Sequence, residues 1–199
     1  QDQIDVSDRL KLMIGGRHDT FDITVADIKS GTSQSREDKE FSPRAGIIFK
    51  PNEKVSWYYS YSESFLPRSG EQYKKLTASA AALDPDVYQS SEFGVKIAIS
   101  ENLSFAAAYF ESEQTIATRD TSGEGVEIIG LQVEGLELEL KGKVNDKMNL
   151  VIGFSSMDGK TSSGGEPREI PEHTLSLFAT YEVSEKFEWA FGITQQGES

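Results

Sequence analysis

One short polar motif recurs five times along the chain and constrains the fold more than any other feature. It reads Val6-Ser7-Asp8-Arg9-Leu10, Pro51-Asn52-Glu53-Lys54-Val55, Ile99-Ser100-Glu101-Asn102-Leu103, Val144-Asn145-Asp146-Lys147-Met148 and Val183-Ser184-Glu185-Lys186-Phe187. From Asp8 through Glu53, Glu101, Asp146 and Glu185 the spacings are 45, 48, 45 and 39 residues. Ser, Asn and Asp suit tight turns because their side chains hydrogen-bond the adjoining backbone. A repeat of this length points to an array, a propeller or a hairpin barrel.

Period-two alternation flanks each motif, which is the signature of a strand with one apolar and one polar face. Val55, Trp57, Tyr59 and Tyr61 share one face and Ser56, Ser60, Ser62 and Ser64 the other. Leu136, Leu138 and Leu140 oppose Glu137, Glu139 and Lys141, and Met148, Leu150, Ile152 and Phe154 oppose Asn149, Gly153 and Ser155. The pattern predicts about nine strands, near 9–18, 41–50, 55–65, 91–99, 103–118, 132–144, 148–158, 173–183 and 187–196. Long connections are expected at 27–40, 66–90, 120–131 and 159–171, rich in Gly, Ser, Thr, Asp and Pro. Tyr73–Ala82 could form a short helix inside the second of these. The fold class is therefore all-β, an antiparallel meander, with no internal domain boundary over residues 1–199.

Composition narrows the function. With 33 acidic and 20 basic residues, the net charge of −13 disfavours nucleic acid as a partner, since a binder needs a basic face to displace phosphate counterions. The absence of cysteine and the presence of only two histidines exclude thiolate chemistry and make a histidine-built metal site untenable. No apolar run approaches the length of a membrane helix. A mean hydropathy of −0.45 suits a soluble protein, but equally a membrane β-barrel, whose strands are apolar only on alternate residues.

A soluble sheet is the ordinary reading of alternating strands, but three features favour a barrel in lipid. The strands reach the roughly 9–11 residues that cross a bilayer when tilted. The polar face carries Arg44, Lys50, Lys96, Glu137, Glu139, Lys141 and Lys143, which suits a wet or plugged lumen. Phe41, Phe49, Trp57, Tyr61, Tyr181, Phe187 and Trp189 fall near strand ends, where aromatic girdles lie. On this reading Trp57, Tyr59, Phe105, Leu150, Ile152 and Phe191 face lipid, and Ser56, Ser60, Glu139 and Gly153 face the lumen. The five short turns share one end of the sheet.

Particular segments resemble a known family. Phe41-Ser42-Pro43-Arg44-Ala45-Gly46, the run Tyr58–Gly70 (YYSYSESFLPRSG), Glu134–Leu140 (EGLELEL) and the stretch from His173 to Glu198 together resemble the barrel of TonB-dependent outer-membrane receptors. The SFLPRSG segment is most similar to the ferric-catecholate siderophore branch. The resemblance implies a fragment of a large barrel of the 22-strand type in the bacterial outer membrane. It further implies a TonB-type energy-transducing complex, a ferric siderophore and outer-membrane lipid as partners. No plug domain and no TonB box are evident, and nine strands do not close a bacterial barrel. The chain is thus expected to be a consecutive piece of the C-terminal half, unable to transport alone.

No catalytic constellation is present, and the chain is expected not to be an enzyme. His18 and His173 sit at strand ends and suit rim or structural roles. Glu137 and Glu139 share one strand face, where pairing with Lys141 accounts for them better than glycoside chemistry does. Asp84-Pro85-Asp86 lacks the ligand spacing of a calcium loop. Gly123, Gly125 and Gly130 are not followed by a phosphate-loop Lys. No cofactor is expected, iron entering only within a siderophore. The expected ligand contacts are Arg68, Gln72 and Tyr73 in the loop after Phe65, with Arg119 and Arg168 from other loops. Cationic, amide and aromatic groups are what an anionic aromatic chelate calls for. The alternatives are a passive porin-like or structural barrel, which an upstream plug and TonB box would distinguish, and a soluble sheet binding protein.

Overall fold

The computed structural model describes residues 2–67, 84–118, 127–161, 163–167 and 170–198. Ten strands, β1 (Asp2–Ser7), β2 (Leu10–Asp27), β3 (Thr32–Asn52), β4 (Val55–Leu66), β5 (Asp86–Ala98), β6 (Leu103–Thr118), β7 (Glu127–Asn145), β8 (Met148–Thr161), β9 (His173–Ser184) and β10 (Phe187–Gln196), form one sheet in sequence order. Every pairing is antiparallel. The meander therefore places the turns at 8–9, 53–54, 99–102, 146–147 and 185–186 at one end.

The recurring motif is a side-chain-capped turn. Asn52 Oδ1 accepts from the backbone N–H of Lys54 at 2.9 Å and of Val55 at 3.0 Å. Asn145 Oδ1 accepts from Lys147 N–H at 3.0 Å, and Ser7 Oγ from Leu10 N–H at 3.1 Å. Each cap satisfies donors that the ladder leaves open at a strand start. Replacing Asn52 by Ala in the full-length protein should cost about 0.5–1.5 kcal/mol. The urea midpoint of the refolded barrel should fall accordingly.

Two expectations are corrected. Among the described residues the strands number ten rather than about nine, because Asp2–Ser7 pairs with β2. The connection expected at 27–40 is instead the upper half of a hairpin, whose β2–β3 register runs without a break from Leu10–Phe49 to Asp27–Thr32. Asp27 closes its tip: Oδ1 accepts from Lys29 N–H at 2.9 Å, and its carbonyl accepts from Gly31 N–H at 2.8 Å. Gly31 has φ of 69°, a left-handed conformation that glycine adopts without penalty. β5, β7 and β8 likewise continue into the segments read as loops, starting at Asp86 and Glu127 and ending at Thr161 respectively.

Register assigns the faces. Phe49 lies opposite Trp57, Trp57 opposite Val95, Val95 opposite Ala107, Ala107 opposite Leu138, Leu138 opposite Phe154 and Phe154 opposite Leu175. Trp57, Tyr59, Phe105, Leu150, Ile152 and Phe191 all fall on this apolar face, while Ser56, Ser60, Glu139 and Gly153 fall on the other, as the alternation predicts. Among the described residues no large apolar side chain is fully buried, and Phe41, Phe93, Trp189 and Phe191 are 61%, 52%, 65% and 60% exposed. A single sheet with no second layer offers these side chains no core in water. Lipid is the solvent that accepts them.

The apolar phase inverts toward the end opposite the capped turns. In β2, Leu10, Leu12 and Ile14 face outward, whereas Phe21, Ile23 and Val25 face inward along an unbroken register. In β7 the outward leucines 136, 138 and 140 give way to inward Val133 and Leu131, and in β8 outward Phe154 gives way to inward Met157. Above the change the outer face becomes polar, with Glu63, Glu111, Glu134 and Asp158. Tyr109 donates to Glu134 at 2.6 Å and Gln132 to Glu111 at 2.5 Å. The inversion marks where the strands leave lipid.

Candidate functional site

The concave face is the candidate site. Its middle is paved with small residues, Ala106, Ala108 and Gly153, between Tyr58, Glu92, Lys96, Glu137 and Glu139, with Gly94 on the same face opposite Tyr58 and Ala108. Tyr58 lies directly opposite Gly94. A Cβ on that glycine would meet the phenol ring at 2.5 Å, so the missing side chain lets the ring lie flat on the wall. The Tyr58 hydroxyl donates to Glu92, and Lys96 Nζ sits 5.4 Å from the ring centroid, a cation–π approach. Glu139 and Lys141, two residues apart on one face, pair at 2.7 Å. Phe110 repeats the device over Gly135, where a Cβ would stand 2.9 Å from the ring. The wall is thus smooth, with carboxylates at mid-height.

Nearer the loop end the same wall changes character. Gln114 Nε2 donates to the Tyr88 hydroxyl at 2.9 Å, and Ser112 donates to Ser90 Oγ at 3.2 Å. These groups, with Ser62, Ser64, Leu131 and Val133, line a recess of about 230 Å³. On the long β2–β3 hairpin, Asp38 is 2% exposed and paired with Arg36. Lys39 on its outer side has its pKa raised by a hydrogen bond from its ammonium to the Glu37 carboxylate.

The loop residues expected to touch ligand, Arg68, Gln72, Tyr73, Arg119 and Arg168, lie outside the described residues, as does the helix expected over 73–82. Of the others, His18 faces outward opposite Phe41, and the His173 ring occupies the space a side chain at Gly197 would need. Among the described residues no cluster of His, Asp or Glu could hold a metal ion. Sequence reading missed the Tyr58–Glu92 and Tyr88–Gln114 pairs. Period two already turns Tyr58 inward between Trp57 and Tyr59, but its partner Glu92 and the glycine opposite it lie on the next strand, which the sequence alone does not pair with it.

Comparison with known proteins gives a consistent result. The family model described as TonB dependent receptor-like, beta-barrel, matches residues 1–198. The ferrichrome outer membrane transporter/phage receptor of Escherichia coli is 27% identical over 183 residues, covering 87% of this chain and 24% of the relative. The probable TonB-dependent siderophore receptor PiuA of Acinetobacter baumannii is 26% identical over 210 residues, covering 92% of this chain and 28% of the relative. The chain thus spans about a quarter of the length of these curated relatives. The crystal structure of PiuA superposes with a TM-score of 0.84 at 23% identity, over 98% of this chain and 32% of that one. The ferric-catecholate import receptor Fiu of E. coli, closed form, gives 0.83 at 16% identity, over 98% and 34%. These structural likenesses establish the fold: an antiparallel wall of a receptor barrel.

Proposed function

Since this chain belongs to the TonB-dependent receptor β-barrel family, whose barrels lie in the bacterial outer membrane, we propose that the full-length protein takes up a ferric siderophore. The 199 residues form part of its barrel domain, with the plug that blocks the lumen supplied elsewhere in the protein. Energy comes from a TonB-type complex, and iron enters as cargo inside the chelate. The observation that supports this reading is a single-layer sheet, apolar outside and smooth and polar inside, in a chain whose family members are receptors rather than enzymes. Uptake of an iron-labelled siderophore by cells bearing the full-length protein should require both the TonB-type complex and the proton gradient. Uptake that persists without either would favour a passive pore.

The finer reading is a catecholate ligand held by the loop after β4. It is supported by the SFLPRSG resemblance and by the Arg68, Gln72 and Tyr73 side chains, with Arg119 and Arg168 as further cationic contacts. A charge-assisted contact from Arg68 is worth about 1.5–3 kcal/mol. In the full-length receptor, Arg68→Ala should weaken ferric-catecholate binding about ten- to a hundredfold and leave barrel assembly intact. Arg68→Lys should recover only part, because lysine lacks the planar fork. Equal binding by both variants and the parent would remove this loop from the site.

A further inference from the structure

The recess between Tyr88, Gln114 and Leu131 has a chemistry that the loop arginines do not share. Above the lipid boundary water reaches a strand extension from both sides, and such a strand gains nothing from apolar residues unless something covers them. Leu131 and Val133 nevertheless face inward, while Gln132 and Glu134 on the same strand face outward. Beside them stand the Tyr88–Gln114 and Ser90–Ser112 hydrogen bonds. The inward side chains of β6 and β7 here are uncharged, period two sending the side chains of Glu111 and Glu113 to the outer face although Glu113 borders the recess. The inward charges stand at its margin: Asp86 beside Tyr88 and Arg44 opposite Ser62.

Resting on the receptor reading above, we propose that this recess holds the uncharged organic backbone of the ferric chelate, its amides and alkyl links, rather than the anionic oxygens around the iron. The carboxamide of Gln114 offers both a donor and an acceptor, as a ligand amide does, and a bound ligand amide satisfies both. Leu131 and Val133 take the alkyl links out of water. Anionic iron-binding oxygens meet carboxyl groups above and below the recess, Asp86 at its rim and Glu92 and Glu137 lower on the same wall, while Arg44 across from Ser62 is already engaged within the wall. The recess therefore discriminates by backbone, and the charged loops by chelating group.

The test uses the full-length receptor in detergent and four probes: a ferric tris-catecholate and a ferric tris-hydroxamate, each made with an amide-linked and a hydrocarbon-linked backbone. Gln114→Leu should weaken the amide-linked member of the bound class about five- to tenfold and leave its hydrocarbon-linked partner unchanged. Leu131→Ser should weaken both members several-fold. A heat-modifiable band on a detergent gel checks that each variant is folded. Unchanged preference in a folded Gln114→Leu receptor overturns the proposal alone, and points to a recess filled by the protein's own loops. A parent that binds none of the four overturns the receptor reading, and the proposal with it. If Gln114→Leu does not fold, Tyr88→Phe, which keeps the ring and removes the hydroxyl, should lower the same preference, and its failure to do so overturns the proposal equally.

Discussion

Arginine in place of Ile152 should cost the full-length barrel about 2–4 kcal/mol, whereas arginine in place of Ser155 should cost little. Ile152 faces outward, opposite Leu140 on one side and Leu177 on the other, in the middle of the apolar band. A guanidinium there must thin the bilayer or reach for its surface. Ser155 lies on the inner wall opposite Glu137, so an arginine there gains a carboxylate neighbour in a wet lumen. Folding into bilayers across a urea series measures both. If the two variants fold equally well, the outward placement of Ile152 is wrong.

Valine in place of Gly142 should be more damaging still, about 3 kcal/mol or more from combined backbone strain and overpacking. Gly142 has φ of +132°, a region that L side chains rarely adopt. A Cβ there would lie 1.8 Å from the Asn102 carbonyl oxygen and 2.9 Å from Leu103 Cα. Both atoms are backbone, of the 99–102 turn and of the first residue of β6, and the turn carbonyl is pinned by the Lys143 N–H donating to it at 2.8 Å, so no rotamer relieves the contact. Gly153→Ala is the control, because its Cβ would meet only the Ser176 hydroxyl, at 2.9 Å, and that group can rotate. Loss of the heat-modifiable form in Gly142→Val, with Gly153→Ala close to the parent, is the expected result.

The turns and the lipid-crossing strands were legible because one physical cause sets each. Asn52, Asn145, Ser7 and Ser100 stand where a side chain must cap a turn, and the leucines at 136, 138 and 140 are in phase because one face meets lipid. The upper half of the β2–β3 hairpin was not legible. Its outer strand, Ser33–Glu40, is almost wholly polar, and its inner apolar residues change face after Gly16, so a window spanning the change averages to no period. Backbone pairing holds that region, and backbone pairing leaves little trace in composition. β1 offers only Ile4 and Val6 in six residues. The inner-wall pairs depend on cross-strand register, which sets Tyr58 opposite Gly94 and Tyr88 opposite Gln114 and which no single strand reveals.

The order of the sheet, each strand beside its chain neighbours alone, has a consequence for how such a wall assembles. Loop-closure entropy is met in small instalments, one hairpin at a time, and each capped turn is a nucleus from which pairing can zip toward the loop end. Among the described residues every strand pairing joins chain neighbours. Cooperativity is then of the nearest-neighbour kind seen in repeat proteins, and damage at one turn stays local until the sheet must close. The slow, non-local event in closing a barrel is then the pairing of the edges that β1 and β10 leave open.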